Sequence, residues 1–294
     1  MIDFFLRYIE TERRLSPHTA KAYRGDIEQL AAYLNAHYDT AEVHKADFQM
    51  LRSWIMTLVE SKLDHRSVNR KIATLRSFYG FLLRRKHIEI DPTTRIVALR
   101  TDKKLPIFVE ESQTDFLLEE VVFADDFNGQ RNRLVLEMLY GTGIRLSELI
   151  GLKSNDVHFF DRTIKVLGKK NKQRIIPMGD MLVACIQKYL ETYRAHFNTK
   201  GSPNFLLLTD EGEQTYPVLI QRIVKNYLNL VTTLSQKSPH VLRHTYATHL
   251  LNRGADLNAI KDLLGHSSLA ATQVYTHNNI EQLKKTYQKA HPKA

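Results

Sequence analysis

Residues 238–277 read SPHVLRHTYATHLLNRGADLNAIKDLLGHSSLAATQVYTH, and this stretch combines helix signals with side chains that can bind a phosphate. Ser238 followed by Pro239 is a helix start signal. His240 and Arg243 then follow at i and i+3, which predicts that they share one face near the positive end of the helix. An imidazole beside a guanidinium at that end favours an anion site with a proton-transfer group next to it.

The same helix start has two other interpretations. His240 and His244 are four residues apart, a spacing that can hold a metal ion, but no glutamate follows His240 as in the His-Glu-x-x-His zinc motif. The second interpretation is that these residues only cap the start of the helix and have a purely structural role. Further along, Gly265 predicts a helix end that leaves His266 at an exposed corner, and Tyr275 follows nine residues later. A lone tyrosine is normally a packing residue, so Tyr275 gains significance only from its neighbours.

A second stretch, GTGIRLSEL at residues 141–149, places Arg145 directly after two glycines. Glycine allows a close backbone approach, and an arginine at such a turn can present its planar fork to a phosphate. Ser147 is predicted to cap the following helix. A buried Arg145–Glu148 pair is an equally good interpretation of this stretch alone. No Gly-Lys-Ser/Thr follows, so the glycines do not form a Walker loop.

A third stretch predicts a β-hairpin with a basic tip. Residues 163–167 and 174–176 have the composition of two strands, and Lys169, Lys170 and Lys172 lie in the turn between them. A lysine in this position could deliver a proton to a reacting group. A solvated turn is the simpler interpretation when the hairpin is considered alone.

Composition limits the class of protein. The chain has 294 residues, 43% of them hydrophobic, and a formal net charge of +10, which favours a polyanionic partner such as nucleic acid, acidic lipid or an acidic protein. No apolar run approaches the roughly 20 residues that span a bilayer, and the first residues become charged too soon for a signal peptide. We therefore expect a cytoplasmic protein without membrane association. The single cysteine, Cys185, excludes an internal disulfide and a cysteine-based zinc site.

The positive charge is concentrated in residues 61–104, which contain twelve Lys and Arg residues but only four Asp and Glu residues. This pattern predicts either a solvated basic helix face or a surface that follows a phosphate backbone. The candidate DNA-binding residues on it are Arg66, Arg70, Lys71 and Arg76.

Periodicity predicts a fold that is mostly α with a small β-sheet. Four helices with short connections predict a helical bundle over residues 1–98. The charged stretch 99–106 is a predicted linker. Residues 107–294 mix helices with the hairpin and form a predicted α+β domain. In the last segment, 279–290, a stripe of Ile280, Leu283 and Tyr287 has no obvious further element of the chain to cover it.

The three strings GTGIRLSELIGL, GKKNKQRIIPMG and residues 238–277, in this order and spacing, closely resemble the tyrosine recombinases, and within them the Xer branch. The resemblance implies a SAM-like core-binding bundle followed by the catalytic domain. One departure is Lys170, where the family usually has glycine after the hairpin lysine. The resemblance assigns Tyr275 as the nucleophile, and the other catalytic positions fall on Arg145, Lys169, His240, Arg243 and His266.

The resemblance also implies an activity. Members cut and rejoin double-stranded DNA at a specific site through a 3′-phosphotyrosine and a Holliday junction, as a tetramer of one protein or of two paralogues. No metal or cofactor is needed. The Xer branch implies resolution of chromosome dimers at segregation, with a septal DNA translocase as a possible partner, and an assembly helix over 279–290 that docks on a neighbouring protomer. The alternatives are a mobile-element integrase, a relaxing enzyme similar to type IB topoisomerases, and a DNA-binding regulator whose catalytic site has decayed.

Overall fold

The computed structural model describes residues 1–101, 107–168, 173–197, 204–265 and 277–293. The chain divides into two compact units, Met1–Lys104 and Leu105–Ala294. The described residues are mostly helical and include one small sheet, which confirms the predicted fold class. Of the helices described, none is both long and apolar enough to cross a bilayer.

The first unit is the predicted helical bundle. Ser16 begins its second helix as expected, because the Ser16 side chain accepts a hydrogen bond from the Thr19 amide at 3.2 Å and Pro17 occupies the first helical position. Asp47 and Asp64 cap the next two helices in the same way. The four helices are α1 (Ile2–Thr11), α2 (Pro17–Tyr38), α3 (Phe48–Glu60) and α4 (His65–Arg84).

A core rich in aromatic residues holds this bundle together. Phe5 of α1 packs edge to face on Phe78 of α4, with 5.3 Å between the ring centroids. Trp54 and Tyr79 are fully buried beside them, and the Tyr79 hydroxyl donates to the carbonyl of Val43 at 2.5 Å. Each helix therefore contributes its apolar stripe to one shared core.

The second unit combines helices with a three-stranded antiparallel sheet in the order β1-β2-β3. Its strands are β1 (Val157–His158), β2 (Thr163–Leu167) and β3 (Gln173–Pro177). Its helices are α5 (Glu111–Asp115), α6 (Phe127–Thr142), α7 (Leu146–Ile150), α8 (Asp180–Lys188), α9 (Pro217–Val231), α10 (Pro239–Asn252), α11 (Leu257–Leu264) and α12 (His277–Ala290).

The β2–β3 pair confirms the predicted hairpin. Ile164 pairs with Ile176, and the ladder ends with Leu167 opposite Gln173, so residues 168–172 connect the two strands. Ile164 and Ile176 are buried against the helices. The two-residue strand β1 was not predicted, because so short a segment carries no alternation of apolar and polar residues.

Helix α6 lies at the centre of the second unit, and its last three turns are almost completely buried. It ends at Gly143, which has the left-handed φ of +59°. A Cβ atom at this position would lie 2.5 Å from a ring carbon of Tyr246, so only glycine fits. This tight reversal directs the chain into Arg145.

Helix α12 corrects part of the assembly prediction. Tyr287 is only 1% exposed and packs in a cluster with residues of α10 and α11 of its own chain. Its hydroxyl donates to the carbonyl of Gly141 at 3.1 Å. The expectation that Tyr287 lacks an intramolecular cover is therefore wrong, because α10 and α11 together leave an apolar surface that α12 fills. The side chains of Ile280 and Leu283 lie outside the described residues.

We predict that Tyr287→Ala destabilises the protein by about 3 kcal/mol, since it removes a large aromatic side chain from a closed core. Thermal or urea unfolding of the full chain measures the loss, and Lys289→Ala on the exposed face of α12 is the control. Unchanged stability combined with lost self-association would instead make Tyr287 a contact between protomers.

Candidate active site

Arg145 occupies the position before α7, and its backbone is fixed by Glu148. The Glu148 carboxylate accepts a hydrogen bond from the Arg145 amide at 2.9 Å. Ser147, which was predicted to cap this helix, is exposed and makes no cap, because Glu148 reaches the free amide at the helix start instead. That expectation was wrong.

The Arg145 side chain makes two contacts. One Nη atom donates to Glu148 Oε1 at 2.8 Å, and the other donates to the carbonyl of Gly265 at 2.8 Å. The pair with Glu148 considered as an alternative is therefore present. Arg145 can still bind a ligand while it is paired with Glu148, since its side chain remains 25% exposed.

Arg174 on β3 is a member of the site that the sequence did not indicate. Its two Nη atoms each donate to one oxygen of Glu148 at 2.7 Å, and its Nε atom donates to the carbonyl of Leu263 at 3.0 Å. Burial by itself would raise the pKa of Glu148. The hydrogen bonds and charge of Arg174, together with those of Arg145, outweigh burial and lower the pKa to about 2.

Arg243 on α10 is buried, and its guanidinium bridges two helix ends. One Nη atom donates to the carbonyl of Gly143, and the other to the carbonyl of Leu264 at 2.6 Å. Burial, followed by the charges of Arg145 and Arg174, lowers the pKa of Arg243 to about 10. The group remains a cation at neutral pH. The two carbonyls use two of its five N–H groups.

The three arginines converge on one helix end. The carbonyls of residues 263, 264 and 265 accept from Arg174, Arg243 and Arg145 in that order. Such carbonyls have no partner within their own helix, and Gly265 ends the helix with a left-handed φ of +62°. Three guanidinium groups thus meet here, while the single carboxylate, Glu148, pairs with only Arg145 and Arg174. The excess positive charge suits a phosphate ligand.

The predicted pairing of His240 and Arg243 is only partly realised. Both lie in the first two turns of α10, but Arg243 points into the interior while His240 is exposed. Partial burial, followed by the charge of His240, lowers the pKa of His244. Among the residues that the structure describes, no three His, Cys, Asp or Glu side chains are grouped in a way that could hold a metal ion.

Three of the six predicted catalytic residues, Lys169, His266 and Tyr275, lie outside the described residues. The hairpin lysines Lys170 and Lys172 do so too. Gly265, the residue before His266, lies beside the arginine cluster, since its carbonyl accepts a hydrogen bond from Arg145. The roles of these residues remain predictions.

In the first unit, the basic residues of α4 surround a buried carboxylate. Asp26 of α2 accepts hydrogen bonds from Arg70 at 2.8 Å and Lys71 at 2.8 Å, and Thr74 donates to its second oxygen at 2.8 Å. Lys71 also donates to Gln29 at 2.6 Å. This is a buried ion network that the sequence did not indicate.

The network changes the interpretation of the candidate DNA-binding residues. Lys71 is 9% exposed, and its ammonium is engaged by the buried Asp26 and by Gln29, so it does not fit the predicted contact with a phosphate. Arg70 is half exposed and can still offer part of its guanidinium. Arg66 is exposed, and Arg76 donates to the carbonyl of Ile96 at 2.6 Å.

We predict different effects for two charge removals on α4. Arg66→Ala weakens duplex binding and lowers the slope of log affinity against log salt by about 1, as expected for one lost phosphate contact. Lys71→Met leaves that slope unchanged and lowers the unfolding free energy by about 1–3 kcal/mol, because Asp26 loses a buried partner. Binding titrations at several salt concentrations and thermal unfolding measure both. A reduced slope in Lys71→Met would show that Lys71 does contact a DNA phosphate.

Comparison with solved structures shows which class of fold this is. The chain superposes on the XerH site-specific recombinase bound to a palindromic difH substrate with a TM-score of 0.71, covering 97% of this chain and 93% of that one at 19% identity. At this identity the likeness shows the fold alone.

The sequence itself shows the family. Residues 108–282 match the Phage integrase family, and residues 2–86 match the Phage integrase, N-terminal SAM-like domain. The chain belongs to the phage integrase family, the tyrosine recombinases, which cleave and rejoin DNA.

Two curated relatives support this assignment over the full length. The tyrosine recombinase XerC of Chlorobaculum parvum is 38% identical over 317 residues, covering 100% of this chain and 94% of the relative. The tyrosine recombinase XerD of Staphylococcus haemolyticus is 36% identical over 297 residues, covering 100% and 99%. The Xer resemblance in the motifs is thereby confirmed.

Proposed function

We propose that this protein cuts and rejoins two copies of a specific DNA site through a 3′-phosphotyrosine and a Holliday junction, and that it thereby resolves chromosome dimers. The observation that carries the proposal is the convergence of Arg145, Arg174 and Arg243 on the end of α11, one residue before His266. The names of the curated relatives support the Xer-type role.

In the proposed reaction, the Tyr275 hydroxyl attacks the scissile phosphorus, and the bond from phosphorus to the 5′-oxygen breaks. His240 helps to take the tyrosine proton, and Lys169 gives a proton to the departing 5′-oxygen. Negative charge grows on the non-bridging oxygens, where Arg145 and Arg243 bind it and His266 donates a further hydrogen bond. The phosphotyrosine bond conserves the energy for rejoining, in which a 5′-hydroxyl attacks and tyrosine leaves. No metal is required, because the guanidinium groups supply the positive charge.

The same proposal includes partners. Four protomers, of this chain alone or with a paralogous recombinase, would assemble on paired sites in the cytoplasm, and a septal DNA translocase would activate them. The side chains of Ile280 and Leu283 remain candidates for contacts between protomers. Tyr287, the third residue of the apolar stripe of α12, is not such a candidate, since it packs on its own domain.

A nicked suicide substrate tests the proposal. Cleavage releases a short 5′-hydroxyl fragment that diffuses away, so the protein should remain attached to the DNA 3′ end and survive denaturing electrophoresis. The adduct should form equally with excess EDTA, since no metal takes part. No adduct would favour a DNA-binding regulator, and loss of the adduct with EDTA would overturn the metal-free mechanism.

A second assay separates recombination from relaxation. Intact paired sites should give a four-way junction only when both carry the cognate sequence. Relaxation of supercoils by protomers acting singly, with no junction, would instead indicate a relaxing enzyme similar to type IB topoisomerases. Products that join an element end to unrelated targets would indicate a mobile-element integrase.

We predict that Lys169 is the general acid and that Lys170 is not. A 5′-bridging phosphorothiolate has a leaving group that needs no proton. Lys169→Ala should therefore cleave this substrate at nearly the normal rate while cutting the natural phosphate slowly, and Lys170→Ala should cut both normally. Single-turnover rates on the two substrates measure the difference. Rescue that appears only in Lys170→Ala would move the role one residue along the hairpin.

A further inference from the structure

We propose that Arg174 is a positioning residue of the active site, which holds Glu148, and through it Arg145, together with the backbone at the end of α11. This inference rests on the proposed function, because it assumes that Arg145 binds the scissile phosphate. Arg174 itself is not a phosphate ligand.

The contacts of Arg174 join three elements that are distant in the sequence. From β3, its two Nη atoms grip both oxygens of Glu148 on α7 at 2.7 Å, and its Nε atom holds the carbonyl of Leu263 on α11 at 3.0 Å. The side chain is 4% exposed, so water does not compete for these bonds. A bidentate pair combined with a third bond leaves the guanidinium little rotational freedom.

The direction of the guanidinium separates Arg174 from Arg145. The Arg174 fork is directed at Glu148, and its remaining edge at a backbone carbonyl. Arg145 uses only one Nη atom on Glu148 and another on Gly265, and a quarter of its side chain reaches the surface. Arg145 is thus available to a ligand, and Arg174 fixes the carboxylate that orients it.

Gly265, which ends α11, packs against the Arg174 side chain. A Cβ atom at Gly265 would lie 2.9 Å from Cδ of Arg174, which shows how closely the backbone approaches its aliphatic part. Loss of Arg174 would therefore loosen both the Glu148–Arg145 pair and the backbone from which His266 follows. A displacement of a catalytic group by about 1 Å can slow a reaction on the order of 100-fold.

The protonation of Glu148 makes the cleavage rate depend on pH, and this dependence distinguishes a positioning role of Arg174 from a general contribution to stability. The charged groups that face it among the described residues are Arg145 before α7 and Arg174 on β3, with Arg243 on α10 as the further charge in the cluster. Burial raises the pKa of a carboxyl group that has lost a cationic partner. Without Arg174, Glu148 should take up a proton at mildly acidic pH and release its ion pair with Arg145.

The experiment is single-turnover cleavage of the nicked suicide substrate at saturating protein, from about pH 5.5 to about pH 8, expressed as the ratio of the variant rate to the wild-type rate. We expect Arg174→Met to be slower by on the order of 100-fold near pH 6 and to recover partly as the pH rises. Arg174→Lys should lose about tenfold, because one ammonium replaces a fork. Duplex affinity should stay within a few-fold for both.

Two further variants sharpen the test. Arg174→Met combined with Glu148→Gln should remain slow, but its ratio should no longer change with pH. Arg131→Met is the matched control, since Arg131 is another buried arginine of the same unit that pairs with a carboxylate, Asp210, and with the carbonyl of Leu208. It should lose stability but cleave at the wild-type rate.

The outcomes separate the two proposals. If the wild-type protein forms no adduct, the proposed function fails and this inference fails with it. If the wild type cleaves and Arg174→Met is no slower than Arg131→Met, the positioning role is overturned while the proposed function stands. A pH-independent ratio for Arg174→Met would overturn the link through Glu148. Should Arg174→Met fail to fold, Arg174→Lys decides, and a wild-type rate in that variant overturns the proposal.

Discussion

Tyr275→Phe is expected to abolish the covalent adduct with the suicide substrate and to leave duplex binding within a few-fold. The substitution removes one hydroxyl group, which contributes little to an interface dominated by phosphate contacts, but it removes the only atom that forms the proposed bond. Denaturing electrophoresis of labelled DNA measures the adduct, and a binding titration measures the affinity.

Other tyrosines of the second unit provide controls for this result. Burial raises the pKa of Tyr246 and of Tyr287, and both side chains are enclosed in the cluster formed by α10, α11 and α12, so neither can reach a DNA strand. Tyr216 is exposed, but it lies beside Arg222 and Asn226 in a separate cavity of about 310 Å³. Tyr216→Phe should form the adduct normally. An adduct that persists in Tyr275→Phe and disappears in Tyr216→Phe would reassign the nucleophile.

Local signals predicted most of the helices and the hairpin. Ser16–Pro17 and Ser238–Pro239 each begin a helix where expected, and Gly265 ends one. These signals depend on a few neighbouring residues, namely a cap, a fixed φ or a left-handed φ, so they can be recognised without the rest of the fold. The family resemblance gave the catalytic positions, of which the structure describes three.

The supporting charges could not be predicted in the same way. Arg174 and Glu148 are 26 residues apart, and Arg174 and Leu263 are 89 residues apart. One sign was present: β3 buries alternate residues, and Arg174 falls on the same inward-facing side as Ile176. A charged residue on the buried face of a strand requires a buried partner, but the strand does not say which one.

Tyr287 and Lys71 illustrate the opposite error. Both belong to patterns that suggested an external partner, an apolar stripe in one case and a basic helix face in the other. Their actual partners are the Gly141 carbonyl and the Asp26 carboxylate, 146 and 45 residues away along the chain. A pattern on one helix shows that a face must have a binding partner. Whether this partner belongs to the same chain depends on the packing of the other helices.

Arg243→Ala is expected to reduce the rate of strand cleavage by a factor on the order of 100 to 1,000, since it removes a preorganised cation from the phosphate. The same substitution leaves the carbonyls of Gly143 and Leu264 without their donor, so we also expect a loss of about 1–3 kcal/mol of unfolding free energy. Thr245→Val is the control, because Thr245 is buried on the same helix and accepts from the Val109 amide at 3.0 Å. It should lose stability without losing cleavage.

Arg243→Lys separates charge from geometry. A lysine retains the positive charge, but its single ammonium cannot reach the Gly143 and Leu264 carbonyls together and still present a flat edge to the phosphate. We therefore expect it to recover little of the activity lost in Arg243→Ala, as measured by single-turnover cleavage at saturating protein. Arg145→Lys should behave similarly, because the second Nη atom that holds Gly265 is lost. Full activity in Arg243→Lys would show that charge alone suffices at this position, and the bidentate argument for Arg243 would then be wrong.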